Sequence, residues 1–327
     1  MNEIDVVYTW VDGSDPRWRA KREFVLRGSS GIEARRGGDT GEHCFSDNAE
    51  LKFSLRSLEC HAPWVRRVYL VTDAQVPRWL NQEEVHVVDH TDVFPSPDLL
   101  PSFSSHAIEL CLHRIDGLAD QFVGFNDDFF LGRRIHPEDF YSSGKPIVRV
   151  VRMGRKRLSR FHAADAERMT PHQAAVARSR HLIYERFGVL LPYKVRHYPR
   201  AMTRRGLQAV WDLFPSEIRT TLGNPFRTVE DVAIHELYAH HVIAVNGGHL
   251  RVLNGVAGFL SMLRMRMDYM GTSVGDRNFQ RKLNLIRRIR PMFFSINDKP
   301  EASVAERGYA SSVLSGMFPH RCKYELA

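Results

Sequence analysis

The sequence predicts an α/β fold built on a mostly parallel sheet, with a second half that is more helical. Strand-like and helix-like segments alternate over the first 150 residues of this 327-residue chain. Acidic residues also follow directly after successive strands rather than being scattered between them. Alternation of strands and helices favours a parallel sheet covered by helices, because a helix connects each strand to its parallel neighbour.

The first strand is predicted over Ile4 to Trp10, where β-branched and aromatic residues dominate. It ends at Val11 to Pro16, a dense turn signal, and a loop rich in Gly, Ser and Arg is expected to continue through about Gly41. A helix follows the capping-box pair Asp47 and Glu50.

Three further strands are predicted in this half, at Arg67–Thr72, Val85–Val88 and Gln121–Phe125. The carboxylates that follow the four strands are Asp12, Asp73, Asp89, Asp127 and Asp128. Ligands of open α/β sheets bind in the crevice outside the carboxyl ends of the strands. The sequence therefore predicts one crevice lined by several carboxylates.

The remainder of the chain is predicted to be mainly helical, with one extended run near its end. Helices are expected over Met202–Leu213, Val229–Ala244 and Asn278–Ile289, and Ile147–Val151 is predicted as another strand. In the first half, a helix over Ser105–Ile115 is expected between the third and fourth strands. The extended run at Phe293 to Asn297 is followed by Asp298, as the fourth strand is followed by Asp127, and we expect it to return to the crevice. We divide the chain into a nucleotide-sugar and metal-binding part (1–150), a mainly helical part (151–290) and a returning segment (291–327), which together form one catalytic unit.

Composition and charge narrow the partners. The formal net charge is +8 and the pI is about 9.4, with basic clusters at Arg149–Arg160 and Arg281–Arg290. This balance suits an anionic partner, either a nucleotide sugar, an anionic polymer or a lipid surface; we expect no nucleic acid. No apolar run reaches the roughly 18 to 20 residues of a spanning helix. The acidic N-terminus favours a cytoplasmic protein, and the basic clusters allow peripheral association with the inner face of the membrane.

Asn126-Asp127-Asp128 is the sharpest local motif. Adjacent carboxylates repel each other unless a cation lies between them, and hard divalent cations prefer carboxylate oxygens. The alternative is a turn with two solvated aspartates. At the end of the first strand, Trp10 is placed to stack on a base, and Gly13 allows the backbone to approach a ligand closely.

The histidines give weaker signals. His197 lies between turn-like segments and is a candidate general base. His235 and His240 do not have the spacing of a zinc protease, which needs its second histidine four residues after the first; we interpret both as packing or capping residues. No G-x-G-x-x-G or phosphate-binding P-loop motif occurs, which disfavours dehydrogenases and P-loop NTPases.

Four blocks of sequence resemble the Stealth family of sugar-1-phosphate transferases, which includes bacterial capsule and exopolysaccharide enzymes and the catalytic core of N-acetylglucosamine-1-phosphotransferase. The first block is IDVVYTWVDGSD and the second runs from Asp47 to Gly132 with FNDDFFLG near its end. The third contains RHYPRAMTRRGLQAVWDLFP and FRTVEDVAIHELYAH, and the fourth contains FFSINDKPE and MFPHRCKYE. The blocks cover nearly the whole chain in the family's order.

The resemblance implies a Rossmann-like, glycosyltransferase-type (GT-A-like) domain with a helical insertion. It also implies a magnesium- or manganese-dependent enzyme that moves a whole sugar phosphate from a nucleotide-diphosphate sugar, typically uridine-linked, to a hydroxyl of a glycan acceptor. A nucleoside monophosphate leaves. Carried over by position, the family's acidic pair falls on Asp127 and Asp128, its catalytic histidine on His197 and its arginine on Arg227, with Asp128 counted among the catalytic residues. Further expected substrate-binding residues are Trp10, Asp12, Gly13, Asn48, Asp73, Arg114, Asn297 and Asp298.

Two other functions stay open from the sequence. A metal-dependent nucleotide-sugar glycosyltransferase would share the acidic motif and the sheet, but it would release a nucleoside diphosphate. A basic polyanion-binding protein without catalysis would show salt-dependent binding and no metal-dependent turnover, and it would leave the acidic crevice without a role.

Overall fold

A five-stranded sheet organises the part of the chain that the computed structural model describes, residues 3–28, 45, 48–154, 169–254 and 259–327. Its strands are β1 (Ile4–Thr9), β2 (Val68–Thr72), β3 (Val85–Asp89), β4 (Gln121–Asn126) and β9 (Arg200–Thr203). Their order is β3-β2-β1-β4-β9, with the first four parallel and β9 antiparallel. The predicted α/β fold on a mostly parallel sheet is therefore confirmed.

Two smaller sheets complete the strand structure. The first contains β6 (Tyr141–Ser142), β7 (Lys145–Arg152), β8 (Tyr193–Val195) and β10 (His249–Val252). The second contains β5 (Phe129–Leu131), β11 (Tyr269–Ser273) and β12 (Phe293–Asn297), in the order β11-β12-β5. Because β5 follows the Asp127-Asp128 turn and pairs antiparallel with β12, the C-terminal strand ends beside that turn.

The helices of the first half are α1 (Pro16–Gly28), α2 (Glu50–His61), α3 (His90–Val93) and α4 (Ser105–Leu110). Those of the second half are α5 (Pro171–Phe187), α6 (Arg204–Leu213), α7 (Pro215–Gly223), α8 (Ile234–Ala244), α9 (Phe259–Asp268), α10 (Phe279–Ile289) and α11 (Val304–Met317). Short 3-10 turns lie at Pro97–Leu99, Leu112–Arg114 and Pro137–Asp139. No helix of the described residues is both long enough and apolar enough to cross a membrane.

Several boundaries differ from those predicted from the sequence. Helix α1 replaces the first part of the expected loop, with Pro16 in its first turn, where a missing N–H costs nothing. The predicted helix from Met202 begins only at Arg204, because Arg200–Thr203 pairs with β4 as the fifth strand. The predicted helix over Ser105–Ile115 ends at Leu110 and continues as a 3-10 turn.

The central strands are buried on both faces, and successive residues of β1 enter different cores. Ile4, Val6 and Tyr8 lie in a core with the leucines of α2, whereas Val7 packs among residues of α4, α6 and α8. This follows from the two-residue period of a strand. With both faces covered, the carboxyl edge of the sheet is the place where a ligand can reach the strands.

One basic cluster lies on helix α10, and the other extends outside the described residues. Helix α10 buries Phe279, Leu283 and Ile286 and leaves Arg281 and Arg288 exposed. The other cluster is described only as far as Arg152 and its two following residues, since 155–168 lie outside the described residues.

Candidate active site

Two adjoining cavities open at the carboxyl edge of the central sheet. Strands β1 and β4 pair in register, with Thr9 opposite Asn126, so Trp10 and Asp127 leave the sheet side by side. One cavity, of about 160 Å³, is lined by the rings of Trp10, Trp18, Phe45 and Phe103 together with polar side chains, and the other, of about 530 Å³, is mostly polar. We call them the aromatic slot and the polar crevice. The residues that line both are Ser105, Asn126, Asp127 and Arg227.

The aromatic slot is formed by rings from separate parts of the chain. The Trp18 ring lies 5.0 Å from Phe45 and 5.3 Å from Phe103, and Phe103 stacks on Phe226 at 5.1 Å. Trp10 also lines the slot, and its buried Nε1 has no hydrogen-bond partner among the described residues. A flat apolar ring would fill such a slot.

The polar crevice has two walls of different chemistry. The acidic wall consists of Glu50, Glu109, Asp127, Asp128, Asn297 and Asp298. The second group of lining side chains, which we call the imidazole wall, consists of His106, His172, His197, Arg200, Arg227 and His235. An acidic wall can bind a cation, and the arginines can bind an anion. The crevice therefore suits an anionic substrate that binds together with a cation.

Asp128 is the most perturbed carboxylate of the acidic wall. Asn297 Nδ2 donates to Asp128 Oδ2 at 2.5 Å, and the Ile296 amide donates to the Asp128 carbonyl at 3.2 Å, so β12 fixes this turn from the side. The other carboxylate oxygen, Oδ1, is buried with no hydrogen-bond partner among the described residues. Burial, followed by the negative charge of Glu50, raises the pKa of Asp128 to about 7.

These features fit a divalent cation. A buried carboxylate oxygen without a partner is costly unless a cation or donor satisfies it, and all the side chains of the acidic wall offer hard oxygen ligands. Within the described ranges, no three Asp, Glu, His or Cys side chains are arranged to hold a metal by themselves. Magnesium sites of this kind use one or two carboxylates and complete the coordination with substrate phosphates and water.

His197 lies in the loop between β8 and β9 and faces the acidic turn. Its ring contacts Phe129 edge-on, with the ring centres 4.7 Å apart. Although His197 is exposed to the crevice, desolvation by the residues around it, followed by the positive charge of Arg200, lowers its pKa. The imidazole is therefore neutral near pH 7 and can offer one donor and one acceptor nitrogen.

The two arginines of the imidazole wall are held in place by neighbouring side chains. Arg227 donates to Ser105 Oγ at 2.5 Å, and Ser105 opens helix α4. Arg200 donates to Glu109 at 2.5 Å and to Asn126 Oδ1 at 3.1 Å, which connects it to the residue before the acidic pair. Both guanidinium groups are thus oriented before a ligand binds.

Most of the sequence-predicted site residues meet at these two cavities. Asp73 lines the slot, where Lys21 pairs with it at 2.7 Å, and Asn48 lies 3.5 Å from Asp298 at the crevice. The remaining predicted residues that line one or both cavities are Trp10, Asp127, Asp128, His197, Arg227, Asn297 and Asp298.

Asp12 and Gly13 shape the slot indirectly. Asp12 accepts hydrogen bonds from the backbone and hydroxyl of Ser14, and the Gly13 amide donates to the carbonyl of Phe45 at 2.7 Å. A Cβ on Gly13 would lie 2.4 Å from that carbonyl oxygen, so only glycine allows this approach. Arg114 is placed elsewhere: its Nε donates to the Val93 carbonyl and its guanidinium lies over Trp211.

Sequence reasoning missed much of the imidazole wall. His235 was interpreted as a packing residue, yet it lines the crevice from the first turn of α8. The other missed residues are Glu50, Ser105, His106, Glu109, His172 and Arg200. Among them, Ser105 and His106 at the start of a helix offered a local signal, whereas His172 lies outside every motif that we identified.

Comparisons with known proteins agree on one family. Three conserved regions of Stealth proteins match this chain: conserved region 1 at residues 2–30, region 2 at 44–148 and region 3 at 196–244. An exopolysaccharide phosphotransferase of Streptomyces coelicolor is 34% identical over 98% of this chain and 33% of its own length. A second, of Nocardia farcinica, is 31% identical over 99% of this chain and 61% of its own.

The capsular polysaccharide phosphotransferase LcbA of Neisseria meningitidis is 32% identical over 70% of this chain and 62% of its own length. The chain thus spans between one third and about three fifths of the length of these relatives. Among solved structures, the galactosyltransferase LgtC with donor and acceptor sugar analogues is 8% identical, with a TM-score of 0.44 over 98% of both chains.

Proposed function

This chain belongs to the Stealth family, and from that premise we propose that it transfers a sugar 1-phosphate from a nucleotide-diphosphate sugar to a hydroxyl of a glycan, in the synthesis of an extracellular polysaccharide. The observation that supports this most strongly is the junction of the two cavities. Asp127 and Arg227 line both the aromatic slot and the polar crevice. A diphosphate lying across this junction would place a nucleoside in the slot and a sugar in the crevice.

The slot provides the contacts for the nucleoside. Its rings offer flat apolar surfaces, and Trp10 Nε1 offers a buried donor that lacks a partner among the described residues. A uracil ring has carbonyl groups that can accept this bond, so we propose a uridine-linked donor. Asp73, oriented by Lys21, lies at the same cavity and can accept hydrogen bonds from ribose hydroxyls.

Asp127 and Asp128 would hold Mg²⁺ or Mn²⁺ at the junction, with Asn297 orienting Asp128. A divalent cation there would neutralise the diphosphate and favour departure of the nucleotide phosphate. Asp128 is suited to this task because burial makes its own negative charge unfavourable until a positive charge lies beside it.

The imidazole wall supplies the groups for the transferred phosphoryl group. Phosphoryl transfer depends mainly on positioning and on stabilising charge on the equatorial oxygens. Arg227, fixed by Ser105, can donate a pair of charge-assisted hydrogen bonds to those oxygens. The neutral His197 can donate a further hydrogen bond without bringing another full charge into the crevice.

Identification of the released nucleotide tests this function. The protein is incubated with magnesium, a panel of uridine-diphosphate sugars and oligosaccharide acceptors, and the nucleotide products are separated by chromatography and assigned by phosphorus NMR. Uridine monophosphate together with a new phosphodiester signal would support the proposal. Uridine diphosphate would instead identify a glycosyltransferase, because attack would then have occurred at the sugar carbon.

A matched control separates catalysis from binding of the basic protein to anionic compounds. Asp128→Asn keeps the shape of the side chain and the positive surface charge but removes the carboxylate. If the protein only bound polyanions, this variant and the wild type would give the same salt-dependent binding and no turnover. Metal-dependent turnover in the wild type alone would exclude that function.

A further inference from the structure

Three polar side chains form a hydrogen-bonded chain that leads from the protein interior to the polar crevice. Asp231 Oδ2 lies 3.2 Å from His106 Nδ1, and His106 Nε2 lies 3.3 Å from His172 Nδ1. Asp231 is 0% exposed and His106 is 3% exposed. His172, by contrast, is exposed and lines the crevice. A buried carboxylate is thereby connected, through one buried imidazole, to a second imidazole at the substrate surface.

The contacts of Asp231 determine the direction of these hydrogen bonds. Its carboxylate accepts from Asn224 Nδ2 at 2.9 Å and from the backbone N and hydroxyl of Thr228 at 3.1 and 3.0 Å. A carboxylate surrounded by donors acts as an acceptor, so His106 Nδ1 carries the proton and donates it. His106 Nε2 is then the acceptor for the Nδ1 proton of His172. In this hydrogen-bonded arrangement, the unprotonated ring nitrogen of His172 is Nε2.

A base that is oriented by a carboxylate through a hydrogen bond is the recurring arrangement for removing a proton from a hydroxyl. Among the described residues, no such carboxylate bonds to His197, whose ring packs edge-on against Phe129 and lies near the positive charge of Arg200. The buried Asp231 can therefore stabilise a positive charge on His172 through His106.

We propose that His172 accepts the proton of the acceptor hydroxyl and that His106 and Asp231 position it. This inference rests on the proposed function and assigns its proton transfer. The acceptor O–H bond breaks and the proton binds His172 Nε2. The acceptor oxygen forms the new bond to the phosphorus attached to the sugar. The bond from that phosphorus to the bridging oxygen breaks, and its electron pair leaves with the nucleoside monophosphate. His197 retains its hydrogen bond to the phosphoryl group.

The surroundings of His172 are consistent with this role. It is the second residue of helix α5, whose N-terminus is fixed by Thr170, which caps the Gln173 amide in a capping box. Its ring stacks on His235, with centres 5.4 Å apart and an interplanar angle of 17°. The helix N-terminus opposes a positive charge on His172, and the buried carboxylate of Asp231 offsets that effect.

The first test compares His172→Ala with His181→Ala, which removes an exposed histidine from the same helix that pairs with Glu185. The readouts are kcat with a donor–acceptor pair that turns over in the uridine-diphosphate-sugar panel, and affinity for uridine diphosphate with magnesium. Loss of a general base lowers kcat by about 10²- to 10⁴-fold. We expect such a loss for His172→Ala, unchanged nucleotide affinity, and no effect of His181→Ala.

Chemical rescue tests whether the loss reflects proton transfer. Because His172 is exposed, added imidazole can reach its place, and we expect it to restore part of the turnover of His172→Ala. Turnover of this variant within about threefold of wild type would overturn the inference. A loss that imidazole does not restore would equally overturn it, because His172 would then have a structural or binding role.

The positioning residues have a test that needs no substrate. Long-range proton–nitrogen NMR on the intact protein reports which nitrogen of His106 carries the proton; we expect Nδ1, and a proton on Nε2 would overturn the proposed direction of the chain. His106→Asn keeps a donor toward Asp231 but removes the acceptor for His172. We expect it to lower kcat about tenfold, less than the 10²- to 10⁴-fold loss expected when the base itself is removed, with an unchanged melting temperature. Wild-type kcat in this variant would remove His106 from the mechanism.

The two proposals fail in different ways. If the wild-type protein releases no nucleoside monophosphate with any donor and acceptor, the proposed function fails, and the assignment of the acceptor's proton to His172 falls with it. If the wild type turns over and His172→Ala does too, only the assignment of the proton to His172 fails.

Discussion

Arg227 is the residue whose replacement tests the geometry of the site most directly. It lines both cavities, and Ser105 orients its guanidinium through a 2.5 Å hydrogen bond. An arginine fork donates two hydrogen bonds to a phosphoryl group, and each hydrogen bond to a charged group contributes about 1.5–3 kcal/mol. Two of them correspond to about 3–6 kcal/mol, which at 1.4 kcal/mol per tenfold change predicts a loss of about 10²- to 10⁴-fold in kcat/KM for Arg227→Ala.

Arg227→Lys and Ser105→Ala are the matched variants. Lysine keeps the charge but not the planar fork, so we expect it to recover only part of the loss. Ser105→Ala leaves the guanidinium in place but unrestrained, and the loss of one neutral-acceptor hydrogen bond predicts a decrease of about tenfold or less. The assay measures kcat and KM for the donor from the released nucleotide, with circular dichroism as the control for folding.

The result that would refute this reasoning is wild-type kcat/KM in Arg227→Lys. A point charge would then suffice, and the argument from fork geometry would be wrong. A fall in donor affinity with unchanged kcat in Arg227→Ala would also contradict it, because the arginine would then bind the ground state and the transition state equally.

Three further predictions concern other parts of the molecule. Asp128→Asn should abolish metal-dependent turnover while circular dichroism stays unchanged, and retained activity would remove Asp128 from the mechanism. Trp10→Phe keeps an aromatic ring but removes the Nε1–H group. In steady-state assays, KM for the nucleotide sugar should rise about two- to tenfold, as for the loss of one neutral hydrogen bond, with kcat unchanged. An unchanged KM would mean that the indole N–H does not contact the nucleotide sugar. Burial lowers the pKa of His113 to about 4, below its unfolded value of about 6.5, so the unfolded chain binds the proton first and stability falls as pH drops from 6.5 toward 4. Between pH 7 and pH 5 this costs about 2 kcal/mol, and urea unfolding of His113→Asn should show a smaller loss by that amount; equal losses in both proteins would contradict the pKa shift.

The sequence alone determined the sheet and the acidic edge of the site. Alternation of strand and helix patterns indicated parallel strands, and parallel strands must place their carboxyl ends at one edge. That rule brought Asp73 and the pair Asp127 and Asp128 to one place without any knowledge of packing. The family resemblance then added His197 and Arg227, which no local pattern could have selected among sixteen histidines and many arginines.

Only the tertiary structure decided which side chains face the acidic edge. Arg200 was predicted to precede a helix, but the pairing of β9 with β4 made it part of a strand and directed it to Glu109 and Asn126. Arg114 is also an arginine and lies in a 3-10 turn, but its guanidinium packs over Trp211 and does not line the crevice.

The hydrogen-bonded series Asp231, His106 and His172 shows most clearly what the sequence could not predict. Its members lie in two helices and a loop, and their contacts join positions 125 and 66 residues apart. Local propensity and periodicity act over a few residues, so they determine which segments become strands and helices. The direction of each side chain at the site depends on how those segments pack, because packing alone brings distant positions within hydrogen-bonding distance.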